Sequence, residues 1–151
     1  MEIIGVSEGV LKFLRVNIIT FNFAPGQKLN ESELSKSLGV SRTPIREAFR
    51  ILENENLVLS TPRRGVCVNE ISVEDCRDIY GVRCMIECYG IECLKEKNIR
   101  KLPNIMELLA DTARLARPEN DDAYAKYEYL REIANFHRQL IVATGNKRLL
   151  Q

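Results

Sequence analysis

Gly39, set between two short stretches of helical periodicity, narrows the folds open to this chain more than any other residue. Before it, Asn30 with Glu33 three residues on reads as a capping box, followed by Leu34 and Leu38 on one face. Gly39 occupies the position just past a helix end, where a left-handed residue is wanted. Ser41 then caps a further helix with Pro44 in its first turn, where a missing N–H costs little. Ile45, Ala48, Phe49 and Leu52 form the buried stripe of that helix. Two helices joined by a short, glycine-containing turn make a helix-turn-helix.

The flanking segments extend this into a small domain. Ser7 is expected to cap a first helix carrying Val10, Leu11, Leu14, Ile18 and Phe21 and stopping near Asn22. In Phe23-Ala24-Pro25-Gly26, proline presets one dihedral and glycine supplies the positive φ of a type II turn. After the helix-turn-helix, Leu57-Val58-Leu59 and Val66-Cys67-Val68 are β-prone and flank Ser60-Thr61-Pro62-Arg63-Arg64-Gly65, the pattern of a β-hairpin wing. Residues 1–71 are therefore expected to form a winged helix-turn-helix, with its motif at 30–69.

Beyond this point only helices are expected. Ser72 with Asp75 opens a long one whose apolar face runs through Ile79, Val82, Ile86, Tyr89 and Cys93. Pro103 starts another, carrying Ile105, Leu108, Leu109, Thr112 and Leu115; Pro118 to Asp122 form a turn and cap. A last long helix covers about Asp122 to Thr144, Gly145 ends it, and Asn146 reads as the cap of one more. The fold class is mainly α, with residues 72–151 forming part of an antiparallel helical bundle. A chain that stops one turn into a helix is expected to lack structure that this bundle would pack against.

Composition supports a folded chain: 45% of residues are apolar, 28% are charged and five are proline. No apolar run approaches the roughly 20 residues that span a bilayer. The amino terminus lacks the basic start and small-residue cleavage site of a secretory signal, so a cytoplasmic location is expected. The five cysteines, Cys67, Cys76, Cys84, Cys88 and Cys93, are an odd number without an export signal and read as reduced thiols. The formal net charge of +1 carries no bulk signal for nucleic acid, so any such binding must come from locally clustered arginines.

Such a cluster exists. Arg42, Arg46 and Arg50 recur every fourth residue, on a slowly drifting face away from the buried stripe. An arginine fork can pair with guanine O6 and N7 or clamp a phosphate. Arg42, nearest the helix start, is the candidate for base readout. Ser41, Thr43 and the first free N–H groups suit backbone phosphates. Arg63, Arg64 and Gly65 at the wing tip suit a phosphate or minor-groove contact. A solvated helix face is the competing reading, since Glu47, Glu53 and Glu55 are near enough to pair with these arginines.

The stretch from Phe23 to Glu53, with Leu38-Gly-Val-Ser-Arg-Thr-Pro-Ile-Arg-Glu-Ala48 at its centre, closely resembles the winged helix of GntR-type regulators. The Pro62-Arg-Arg-Gly65 wing and Val68-Asn-Glu-Ile-Ser-Val-Glu-Asp75 extend the resemblance to the FadR-type subfamily. It implies a DNA-binding transcription regulator, read as a repressor and not an enzyme, that binds a palindromic operator as a homodimer. It implies operator contacts by Ser41, Arg42, Thr43 and Arg46, and maps the wing glycine to Gly65. Some relatives carry a further arginine where this chain has Ser32, so that contact is expected to be absent. The helical domain of the family encloses an effector pocket.

On the effector side, His137 shares a helical face with Leu130, Ala134, Ile141 and Thr144, which reads first as a hydrogen-bonded interior histidine. Many relatives hold a divalent metal with this histidine, an aspartate one turn earlier and two later histidines. Here the aspartate position is Ile133, and Glu132 points about 140° away around the helix. His137 is the sole histidine, so a metal site, which takes at least three protein ligands, stays incomplete. Arg83 and Glu87 match an arginine and glutamate of the family; Arg83 either binds the carboxylate of an organic-acid effector or forms an i,i+4 salt bridge. Cys84 and Cys88, also i,i+4, either sense oxidants or bind a soft metal, or are small buried side chains, the favoured reading. Two alternatives accompany the regulator reading. One is a truncated regulator without a working effector site, and the other a small metal-dependent hydrolase using His137, for which no activated nucleophile is evident.

Overall fold

The computed structural model describes residues 5–62, 65–99, 106–107, 110–111, 118 and 121–150. It is mainly helical and divides into two compact units, Met1–Ile71 and Ser72–Gln151. The first unit is a winged helix-turn-helix. Its elements are α1 (Val6–Ile19), β1 (Lys28–Leu29), α2 (Glu31–Leu38), α3 (Arg42–Asn54), β2 (Val58–Thr61) and β3 (Gly65–Val68).

Helix α1 differs from expectation at both ends. Its cap is Gly5, and Ser7 lies inside the first turn, where its hydroxyl donates to Glu47 Oε2 at 2.7 Å. The helix stops at Ile19 rather than near Asn22, and Phe21 sits outside it at φ 62, almost three-quarters exposed. Competing local bonds explain the early stop: the Thr20 hydroxyl bonds Val16 O at 2.7 Å, and Phe23 N–H returns to Asn17 O. Phe23 then does what was expected of Phe21, packing edge-on against Phe13 beside the core. Ala24 O accepts from Gln27 N–H across Pro25 and Gly26, the latter at φ 75, which is the expected type II turn.

Asn30 caps α2, its side chain accepting from Ser32 and Glu33 N–H. The box is not the reciprocal kind, because the Glu33 carboxylate takes the Asn30 side-chain amide rather than its backbone N–H. Gly39 ends α2 at φ 65, and Ser41 stands at the N-cap of α3 in extended conformation without a side-chain cap bond. Ile45, Ala48, Phe49 and Leu52 are buried as the periodicity requires, joined by Val10, Leu14, Ile18, Leu29, Leu34, Val58 and Val68 in one core.

The wing is larger than a hairpin. Three strands form an antiparallel sheet in the order β1-β3-β2, with Lys28 opposite Cys67 and Leu59 opposite Cys67 on the other side. Ser60 and Thr61, expected in the loop, are strand residues paired with Val66 and Gly65. The two-residue β1 is too short to show alternation in sequence. The wing-tip residues Arg63 and Arg64 lie outside the described residues.

Among its described residues the second unit has two long helices, α4 (Val73–Glu96) and α5 (Ala123–Ala143), and a 3-10 turn at Lys147–Leu150. Ser72 and Asp75 form the expected reciprocal capping box, and that hydrogen bonding holds the Asp75 carboxyl below its ordinary range. Asp122 caps α5, Gly145 follows it at φ 67, and Asn146 Oδ1 caps the last turn through Arg148 N–H. Glu87 meets His137, Gly90 meets Ile141 and Lys97 meets Thr144, so α4 and α5 run in the same sense. Apart from 106–107 and 110–111, the helix expected from Pro103, with its Ile105, Leu108, Leu109, Thr112 and Leu115, lies outside the described residues; so do Glu119 and Asn120 of the expected turn.

The apolar face expected of α4 is largely uncovered. Ile79, Val82 and Tyr89 are exposed and Ile86 only half-buried, while Gly90 and Leu94 are the buried residues. The reason is the close approach at Gly90: a Cβ there would lie 3.1 Å from Ile141 Cδ1, so α5 packs on the bare backbone and not on the bulky stripe. The cysteines follow suit. On α4, Cys76, Cys84 and Cys88 are exposed and Cys93 half-buried, against the expectation of small buried side chains; Cys67 of the first unit is also half-buried.

Candidate functional site

The stripe that buries Ile45, Ala48, Phe49 and Leu52 turns the opposite side of α3 outward, and Ser41, Arg42, Thr43, Arg46 and Arg50 are all exposed there. Arg42 to Arg50 spans about 12 Å along the axis at 1.5 Å per residue. The glutamates that might have neutralised this face have other partners. Glu47 accepts from Ser7, Glu53 from Ser60 N–H, and Glu55 from Arg15 Nη2 and Nε at 2.6 and 3.0 Å. The one arginine of the three in an ion pair is Arg46, whose Nε lies 2.8 Å from Glu31 Oε2 while its side chain stays 62% exposed. Among the described residues Arg42 and Arg50 make no ion pair.

Glu31 was not singled out in sequence because it sits fifteen residues from Arg46, on another helix, and no periodicity links them. Lys28 was missed for a similar reason. It lies on β1, and its Cε is 3.6 Å from where a Cβ on Gly65 would be, so a lysine stem flanks the wing glycine. Gly65 itself has φ 84, a conformation that side chains resist.

The second unit holds a cavity of about 750 Å³, open to solvent, between α4 and α5. Asp78, Arg83, Glu87 and Arg138 bring charge, and His137 a polar ring, to a lining otherwise dominated by Ile79, Val82, Ile86 and Ile141. Arg83 Nε donates to Glu87 Oε1 at 2.6 Å, so the i,i+4 salt bridge, one of the two readings of this arginine, forms on the cavity wall. The other Glu87 neighbour is His137, whose Nδ1 lies 3.0 Å from Oε1 but out of hydrogen-bonding alignment, leaving that buried nitrogen without a bond. Burial works to raise the Glu87 carboxyl. The Arg83 hydrogen bond and charge, together with the neighbouring His137 ring, outweigh it and hold the group below its ordinary range.

His137 is therefore not the satisfied interior residue of the simplest expectation. It is half-buried at the cavity, and of its face Leu130 and Ala134 are exposed while Ile141 and Thr144 are buried. Ile133 occupies the turn before it, and among the described residues no three histidine, cysteine or acidic side chains gather as metal ligands. No helix among the described residues is long and apolar enough to cross a membrane.

Residues 6–68 match the family of bacterial regulatory proteins, gntR family. Over 137 residues the chain is 31% identical to the HTH-type regulator YdhC of Bacillus subtilis, covering 90% of this chain and 59% of that protein. Over 83 residues it is 40% identical to the HTH-type transcriptional repressor RspR of Escherichia coli, covering 55% of this chain and 36% of the repressor. A solved structure from Rhodococcus sp. RHA1, described as a transcriptional regulator GntR, superposes with a TM-score of 0.66 at 29% identity, covering 95% of this chain and 66% of that one. The chain thus spans about three-fifths of the length of its B. subtilis relative. Through its winged helix-turn-helix, residues 6–68, this chain is similar to the gntR family of bacterial regulatory proteins.

Proposed function

We propose that the chain is a DNA-binding transcription regulator, acting as a repressor on a palindromic operator, with residues 1–71 as reader and 72–151 as part of an effector-binding and dimerising helical domain of the FadR type. The observation that carries this reading is the outward face of α3. Three arginines stand there, and the nearby glutamates of the same helix are bonded elsewhere. A helix about 10–12 Å across enters a major groove about 12 Å wide. Arg42 reads a base edge, Arg46 and Arg50 follow along the groove, and Ser41, Thr43 and the open α3 N-terminus hold phosphates.

The Glu31 carboxylate keeps Arg46 extended across to α2 and is exchanged for DNA when the groove arrives. Gly65 lets the wing approach the backbone, with Lys28 beside it and Arg63 and Arg64 at the tip. In the second unit, the cavity suits an organic acid whose carboxylate meets Arg83 and Arg138 while its apolar part lies on Ile79, Val82 and Ile86. A homodimer places two readers on half-sites about one DNA turn apart. Effector binding alters DNA affinity to the extent that it favours one arrangement of the paired readers. A divalent metal has no complete ligand set among the described residues, and no step of this scheme uses one.

Fluorescence anisotropy on DNA from upstream of the encoding gene tests the proposal. Saturable binding that weakens steeply with salt, and falls at least tenfold when one half-site is deleted, is expected. Failure to bind at low salt, or equal binding by a variant carrying both Arg42→Ala and Arg46→Ala, overturns it.

A further inference from the structure

Three exposed thiols on α4 have no part in the scheme above, and two of them form a pair. Cys84 and Cys88 stand one turn apart on the same face, both solvent-accessible and both free. The neighbouring Cys84 pushes the Cys88 thiol up, with Glu87 and Glu92 adding to the effect. Cys76 is two turns away from Cys84, about 12 Å along the axis. Cys93 stands one turn from Tyr89, whose hydroxyl it pushes up, and is rotated about 140° from Cys88.

Helix geometry decides what such a pair can hold. Cβ atoms at i and i+4 lie about 5–6 Å apart, whereas a disulfide needs about 3.5–4.5 Å, so direct S–S closure requires the helix to distort. One bridging atom with bonds of about 2.3 Å, the usual length of a metal–thiolate bond, spans the gap without distortion. Zinc in a structural or catalytic site needs at least three protein ligands, and no third ligand gathers here among the described residues. Soft acceptors satisfied by two sulfurs remain.

We propose that Cys84 and Cys88 form a dithiol site on α4 for a soft, thiophilic acceptor of the trivalent-arsenic class, held through both sulfurs. In the reaction with an arsenoxide, two S–H bonds break and two S–As bonds form. The two protons leave with the oxide oxygen as water, and arsenic stays trivalent. Cys84, with Glu87 and Glu92 adding to it, pushes the Cys88 thiol up and so disfavours its thiolate.

The test is titration of the reduced, full chain with phenylarsine oxide, followed by native mass spectrometry. One equivalent should bind, survive excess monothiol and be released by a dithiol. Cys84→Ser and Cys88→Ser should each lower apparent affinity at least a hundredfold, with circular dichroism unchanged, while Cys76→Ser binds like the parent. A chain keeping only Cys84 and Cys88, made by Cys67→Ser, Cys76→Ser and Cys93→Ser together, should still take one equivalent. Binding retained in Cys84→Ser and Cys88→Ser, or absent from the chain that keeps only this pair, overturns the site.

Discussion

Arg42 and Lys28 are both exposed and basic, yet their positions predict different consequences. Arg42 begins the groove-facing helix, so Arg42→Ala should remove one bidentate base contact, worth about 1–3 kcal/mol. Operator affinity should drop roughly tenfold or more, with discrimination relaxed at one base pair; anisotropy on single-base operator variants measures both. Lys28, on the edge strand beside Gly65, is placed for backbone contact. Lys28→Ala should weaken all sequences alike and reduce the salt slope by about one. Glu87 governs a different property. Its carboxyl is held below the ordinary 4.5 in the folded chain, so its contribution to stability is complete above that pH and fades as the pH falls through the lower folded value. Acidification below about pH 4.5 should therefore loosen the second unit, and Glu87→Gln should flatten that dependence in circular dichroism melts.

Among the elements, α3 has two duties that its periodicity makes compatible. Its inward stripe holds the core, with Leu52 and Ile45 fully buried, and its outward face carries the arginines. Leu52→Ala should destabilise the first unit by about 2–5 kcal/mol, read by urea unfolding, with no direct loss of a DNA contact. The turn before it was legible because Gly39 at φ 65 is a local requirement, stated by one residue type. Strand β1 was not, since two residues carry no alternation and exist as strand only because β3 pairs with them. Helix α4 was legible in its cap and length but not in its contact face. Apolar spacing names a stripe; whether a neighbour covers that stripe is decided by where the neighbour packs, here at Gly90.

At the scale of the whole molecule the two units have cores of different depth. The first packs three helices and a sheet around one continuous core. In the second, among the described residues, Leu94 and Ile141 are the buried large apolar side chains. Hydrogen exchange on the intact chain should follow this contrast, with α3 amides protected far longer than those of Val73–Gly81, whose side chains are all exposed. Equal protection in the two segments would show that some other surface covers α4. A homodimer formed through that helix is one source of such cover, and dilution would then restore fast exchange.

The amino-acid sequence by itself determined the winged helix-turn-helix: helix caps, the left-handed glycine, the turn at Pro25-Gly26 and the buried stripe of α3 are local properties, written within a few residues of where they act. It also named the outward arginines, because helical spacing puts them opposite the stripe. Tertiary structure alone decided which acids meet which bases, pairing Glu31 with Arg46 and Arg15 with Glu55 and so leaving Arg42 and Arg50 without ion pairs among the described residues. It alone turned Ile79 and the Cys84–Cys88 pair to solvent and set His137 beside Glu87. Contacts between residues distant in sequence depend on how helices dock, and no short-range pattern encodes that.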